Sequence, residues 1–179
     1  MRALLKLSRT IDTLNEKIGL AATWLVLLAC VVSAGNALMR WGFDLSSNAW
    51  LEIQWYLFAG MVMLGGAYTL RVNEHVRVDV LYSRYSERTR AWVDLLGGIF
   101  FLLPMSIVIG WMSWPLFLSS YEIGEMSGNA GGLLRWPVKI LIPIGFALLT
   151  LQGVSEIIKR VAALSGRLPL DSHYERPLQ

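Results

Sequence analysis

The chain has 179 residues, of which 55% are hydrophobic and only 16% charged, and its formal net charge is +3. A soluble domain carries about 25% charged residues, so this composition excludes an ordinary water-soluble fold. The basic residues flank apolar runs, as membrane topogenesis requires, and no nucleic-acid partner is expected.

In residues 1–17 and at the start of the next segment, Leu4, Leu7, Ile11, Leu14 and Ile18 recur at helical spacing, while Arg2, Lys6, Arg9, Asp12, Asn15 and Glu16 fall on other faces. This pattern predicts an amphipathic N-terminal helix lying on the membrane surface or packed on a partner's edge. Four apolar runs follow: Ile18 to Met39, Leu51 to Leu70, Val93 to Leu118 and Pro137 to Ile158. Each offers roughly 20 or more residues, which at ~1.5 Å per residue is enough helix to cross a ~30 Å hydrocarbon core. The first run precedes the small residues Ser33, Ala34 and Gly35 at its far end, but it is too long for an ordinary signal-peptide core and is expected to remain attached. The expected fold is therefore an all-α integral membrane protein. It has one four-helix transmembrane domain over 18–158, preceded by the interfacial helix 1–17 and followed by a cytoplasmic tail, 159–179.

Between the second and third spans, Val78, Leu81, Tyr82 and Tyr85 share one helical face among arginines, which predicts a short amphipathic loop helix near lipid phosphates. Ser86 followed by Glu87 is the expected N-terminal cap of the helix leading into the third span. Lys and Arg are concentrated before the first span (Arg2, Lys6, Arg9, Lys17), in the 71–92 connection (Arg71, Arg77, Arg84, Arg88, Arg90) and after the fourth (Lys159, Arg160, Arg167, Arg176). The other two connections hold only Arg40, Arg135 and Lys139, so both termini are expected to be cytoplasmic. Trp41, Trp50 and Trp55 crowd the first outer loop, and Trp111, Trp114 and Trp136 bracket the second, as an interfacial aromatic belt would.

Ionisable residues in the apolar runs all lie within about a turn of an end, whereas an ion pathway usually needs one near the bilayer midplane. The single cysteine, Cys30, cannot form an intrachain disulfide or a redox pair, and His75 and His173 lie outside the spans, where they cannot ligate an embedded haem. No catalytic, cofactor-binding or metal-ligating set is expected. Glu52, Gln54 and Asp94 sit just inside span ends, where a carboxylate is expected to meet a helix N-terminus or a neighbouring chain's arginine. Ala29, Ser33 and Ala37, together with Gly60, Gly65, Gly66, Gly97 and Gly98, are expected at close helix contacts, and Pro104, Pro115 and Pro143 at kinks. Arg40, Asp44, Glu122, Glu125 and Arg135, on the outer loops, are the candidates for docking a periplasmic partner.

The runs Glu52-Ile-Gln-Trp-Tyr-Leu-Phe, Leu64-Gly-Gly-Ala-Tyr-Thr-Leu-Arg71 and His75-Val-Arg-Val-Asp79-Val-Leu, with a basic stretch before the third span, resemble the small permease (Q) subunit of TRAP (tripartite ATP-independent periplasmic) transporters. The resemblance covers essentially the whole chain, and its most distinctive part is the His-Val-x-Val-Asp stretch. It implies an inner-membrane scaffold subunit of a sodium-coupled importer, fed with organic acids by a periplasmic substrate-binding protein. Substrate and sodium sites would lie in a large permease (M) subunit, leaving no cofactor here. Glu52, Gly65, Gly66, His75, Arg77 and Asp79 fall in the matching stretches and would have structural roles. The remaining alternatives are a membrane anchor of a redox enzyme and a stand-alone homo-oligomeric channel or exporter.

Overall fold

The computed structural model describes residues 1–45, 47–74, 82 and 84–169. Among these the chain is built of four helical rods. α1 runs over Arg2–Phe43, α2 over Asn48–Val72, α3 over Glu87–Glu122 and α4 over Trp136–Leu164. Three of them, α1, α3 and α4, are long and apolar enough to cross a membrane. The rods alternate in direction, so one end of the bundle carries the start of α1 and the end of α4. The opposite end carries the loops 44–47 and 123–135.

Local chemistry explains the boundaries. The α1–α2 connection begins with Asp44 in the left-handed region (φ 53°), and α2 ends at Asn73 (φ 62°), both residue types that tolerate this conformation. Ser47 Oγ accepts from the Ala49 N–H at 3.2 Å to cap α2. Ser86 Oγ accepts from the Thr89 N–H at 3.3 Å, so the expected cap before the third span is present. Pro104 lacks the N–H that would reach back one turn, and the helix answers by widening into a π segment at Gly98–Leu102. Pro143 similarly follows a break at Ile140 that separates a first turn, Trp136–Lys139, from the rest of α4.

The expected boundary near residue 17 is absent. α1 continues through it as 42 residues, roughly 63 Å of helix at ~1.5 Å per residue and about twice a ~30 Å hydrocarbon core. The face turned inward within the chain is mostly polar or small. Ser8, Ile11, Asn15, Gly19 and Ala22 are buried, whereas Leu4, Leu7 and Leu14 are exposed. The reason is that α4 offers hydrogen-bonding partners at this level, while lipid or another chain can receive leucine. At the other terminus, residues 159–164 belong to α4 and not to a tail.

α4 is the central rod and packs on α1, α2 and α3, whereas α3 packs chiefly on α4. Between α3 and α4 lies an open apolar groove of about 780 Å³, lined by residues that include Ile107, Trp111, Trp114, Pro143 and Leu151. Neighbouring helices come close at Gly19, Gly145 and Gly153, and also at Gly60 and Gly98, through side chains at all but Gly145, which faces the Met63 carbonyl. Gly65, Gly66 and Gly97 have open space around them, and Ser33 and Ala37 face outward. Trp41, Trp50, Trp55, Trp111 and Trp114 are exposed, and Trp136 packs edge-on against Tyr121 with ring centroids 5.5 Å apart.

Candidate functional site

Two polar constructions carry the chemistry of this chain, one at each end of the bundle. At the loop end, Asn48, Glu52 and Tyr56 recur every fourth residue and so stand on one face of α2. All three bond to the 123–135 connection. Asn48 Nδ2 donates to the Ala130 carbonyl at 3.1 Å and Tyr56 OH to the Leu134 carbonyl at 3.0 Å. Between them Glu52, only 3% exposed, accepts from the Asn129 amide at 2.8 Å, from the Leu133 N–H at 2.7 Å and from the Ser127 hydroxyl. A buried carboxylate is costly unless its oxygens are filled, and here both are.

The connection is itself ordered. Met126 and Leu134 form an antiparallel bridge, the Arg135 N–H donates to the Glu125 carbonyl at 2.8 Å, and Gly124 and Gly131 supply the left-handed turns. Glu125 pairs with Lys139 and, at 3.6 Å, with Arg135. Glu125 and Arg135, expected as docking groups, are thus partly engaged in holding the loop. Arg40, Asp44 and Glu122 are exposed. The Lys139 ammonium holds the Glu125 carboxyl below its ordinary value of 4.5. A carboxyl with a depressed folded pKa contributes order above the unfolded value and loses it as pH falls through the folded one. Amide hydrogen exchange in 123–135 should therefore be slow at pH 6 and accelerate below about pH 4.5, and Glu125→Gln should flatten that dependence. Equal pH profiles in the two proteins would remove the ion pair from the account.

At the terminal end, a polar seam joins α1 to α4. Ser155 Oγ lies 2.7 Å from both Ser8 Oγ and Asp12 Oδ1, so Ser155 donates to the carboxylate and Ser8 to Ser155. Gln152, fully buried, donates to Asp12 and Glu156 at 2.9 Å each and accepts from Asn15 Nδ2 at 2.8 Å. Lys159 closes the seam against Asp12 at 3.3 Å and against Glu156. Asp12, which precedes the first expected span, thus lies beside Gln152 and Ser155 near the end of the expected fourth one.

Flanking ion pairs extend the seam: Arg71 to Glu16 at 3.2 Å joins α2 to α1, and Arg160 to Asp94 at 3.3 Å joins α4 to α3. Asp94 also accepts from Tyr82 OH at 2.9 Å, while Arg90 Nε donates to the Tyr82 carbonyl at 3.1 Å. The expectation that Glu52 and Asp94 serve a helix N-terminus or another chain's arginine is corrected: their partners lie within this chain, in the 123–135 connection for Glu52 and at Tyr82 and Arg160 for Asp94. His75, Arg77 and Asp79, and the expected loop-helix positions Val78 and Leu81, lie outside the described residues. Asn48, Tyr56, Ser127, Asn129 and the Ser8–Gln152–Ser155 set were not singled out from sequence. Only Asn48 and Tyr56 carry a signal, the four-residue polar repeat they form with Glu52 at the start of an apolar helix.

Residues 27–163 match the family described as "Tripartite ATP-independent periplasmic transporters, DctQ component". A Haemophilus influenzae protein described as a candidate TRAP transporter small permease is 23% identical over 146 residues, covering 80% of this chain and 89% of that one. The C4-dicarboxylate TRAP transporter small permease protein DctQ of Pseudomonas aeruginosa is 27% identical over 106 residues, 59% of this chain and half of that protein's length. No solved structure matches the chain. The matched region takes in the second part of α1, all of α2 and α3, and all but the last residue of α4, so the loop-end construction falls within it, as does the α4 side of the seam, while Ser8, Asp12, Asn15 and Glu16 precede it. The chain therefore belongs to the DctQ family, the small permease components of tripartite ATP-independent periplasmic transporters, and is a membrane transporter component, not an enzyme.

Proposed function

We propose that this chain is the small inner-membrane subunit of a sodium-coupled, binding-protein-dependent importer of organic acids, in which it scaffolds a large permease and helps dock a periplasmic substrate-binding protein. In this reading α2 is the fourth crossing, since its 25 residues give roughly 37 Å of helix, enough for a ~30 Å core. Both termini are cytoplasmic, in line with the Lys and Arg bias toward the terminal end. Sodium and substrate bind in the large subunit. Dicarboxylates, 2-oxo acids and sugar acids are the substrate class, and the C4-dicarboxylate named for the P. aeruginosa relative supports it.

The observation that carries this reading is what the carboxylates do. Asp12, Glu16, Glu52, Asp94 and Glu125 each tie one rod or loop of the bundle to another. Groups spent on bracing suit a stationary scaffold, while the exposed Trp24, Leu27, Phe100, Phe101 and Met105 leave apolar surface for lipid and for a larger membrane partner. The test is reconstitution of this chain with a large permease and a substrate-binding protein of the same transporter family from the same organism. Uptake of a carboxylate should require all three proteins and an inward sodium gradient. Flux through liposomes holding this chain alone would overturn the scaffold reading, and a haem spectrum in the purified protein would revive the redox-anchor alternative.

A further inference from the structure

We infer that Glu52 is a positioning residue for the soluble partner: its buried carboxylate holds the 123–135 connection in the one conformation that the partner recognises. The inference rests on the function proposed above. A linker joining two antiparallel helices needs only a few residues, and connections as long as about 12–15 residues are usually functional. This one is built as a fixed object. Three successive α2 rungs, Asn48, Glu52 and Tyr56, bond to Ala130, to Ser127, Asn129 and Leu133, and to Leu134, so the contacts span most of the loop.

The division of side chains within the loop supports a presented surface. The Ser127 side chain and the Leu133 N–H are turned toward α2, while Ile123, Met126, Gly128 and Ala130, and Glu122 at the end of α3, are exposed, Ile123 at 71% and Met126 at 58%. Two large apolar side chains beside an exposed carboxylate, on a loop locked from beneath, have the character of a protein-contact patch. Pre-ordering matters because a mobile loop would lose conformational entropy on each encounter, and that loss appears directly as weaker binding. The Lys and Arg bias sets this end opposite the termini, where an extracytoplasmic protein would arrive.

The variants are Glu52→Gln, which puts an amide nitrogen or a neutral oxygen against the Leu133 N–H, and Asn129→Ala, which removes one donor from an exposed position. Each is assembled with the large permease in lipid nanodiscs. Deuterium uptake of 123–135, the thermal midpoint of the complex and the affinity for the soluble binding protein are then measured. Glu52→Gln should speed exchange in the loop and weaken the partner's affinity at least fivefold. Asn129→Ala should weaken it two- to threefold, and both should leave the large permease bound and the thermal midpoint within a few degrees. Faster loop exchange with unchanged affinity overturns the inference, and so does unchanged exchange. If Glu52→Gln does not assemble, Asn129→Ala is judged by the same two outcomes. A wild-type complex that fails to bind the soluble protein at all counts against the proposed function instead.

Discussion

Gly19→Leu and Gly145→Leu are each expected to abolish recovery of folded protein. A Cβ at Gly19 would lie 2.4 Å from Tyr68 Cβ and 2.6 Å from Tyr68 Cγ, separations that carbon atoms do not reach. At Gly145 it would lie 2.7 Å from the Met63 carbonyl oxygen, a backbone atom that cannot rotate away. These two glycines sit where α1 and α4 press on α2. Overpacking a filled contact costs about 1–3 kcal/mol for small additions, and leucine adds three carbons beyond the clashing one. The cost therefore lies above that range and takes up much of a total stability of about 5–15 kcal/mol, which separates the rods.

Gly65→Ala is the matched control, because a Cβ there meets nothing within 4 Å. In the isolated chain it should be neutral, or stabilising by up to about 1 kcal/mol through helix propensity. Size-exclusion profiles and thermal midpoints in detergent distinguish the outcomes. A monodisperse Gly19→Leu protein melting with the wild type would mean that α1 and α2 do not cross as described.

The contrast between Gly19 and Gly65 shows what a sequence of this kind does and does not reveal. Apolar runs announce themselves by length alone, so helices were found close to the expected positions 18–39, 51–70, 93–118 and 137–158, each extended by several residues at one or both ends. Which glycine touches a neighbour depends on rod rotation, and apolar residues all round a helix leave that rotation unmarked. In the N-terminal segment it is the boundary near residue 17 that differs, since α1 runs through it without a break. Its two faces are visible in the spacing of Leu7, Ile11 and Leu14 against Ser8, Asp12 and Asn15, but spacing does not show that the polar face has a partner within the chain. Here the leucines face outward and the polar face meets α4.

The site was legible to a smaller degree. Glu52 stood out as an acid at the start of an apolar run, but its partners Ser127 and Asn129 lie 75 and 77 residues away and are joined to it only by the packing of α2 against the loop. Arg135 and Glu125 stand in the sequence as outer-loop docking candidates, because sequence shows charge without showing pairing. Ser86 was read correctly because a cap is a local device, complete within three or four residues. Nothing local marked Gln152. A glutamine in a span is one polar residue among apolar ones until Asn15 and Asp12 are brought beside it.

That juxtaposition gives the second large effect. Gln152→Leu is expected to destabilise the chain by about 1–3 kcal/mol through the Asn15 amide alone, whose remaining bond is a long one of 3.5 Å to the Leu148 carbonyl. Asp12 and Glu156 lose a donor in the same change, which adds to the loss. Asn15→Leu by itself should also destabilise, since it orphans the Gln152 oxygen. The double variant should recover part of the difference. Replacing both members of a buried pair with apolar groups removes the unsatisfied atoms, and it also removes Asn15 Oδ1, which is buried without a partner among the described residues. A double-mutant cycle on thermal unfolding in detergent should therefore give a coupling of about 0.5–2 kcal/mol. Strictly additive losses would mean that α1 and α4 are held together by apolar contact, with the seam merely tolerated. A measured coupling would instead make the seam a register lock. It would pin the start of α1 to the end of α4 and hold the central rod in a single register.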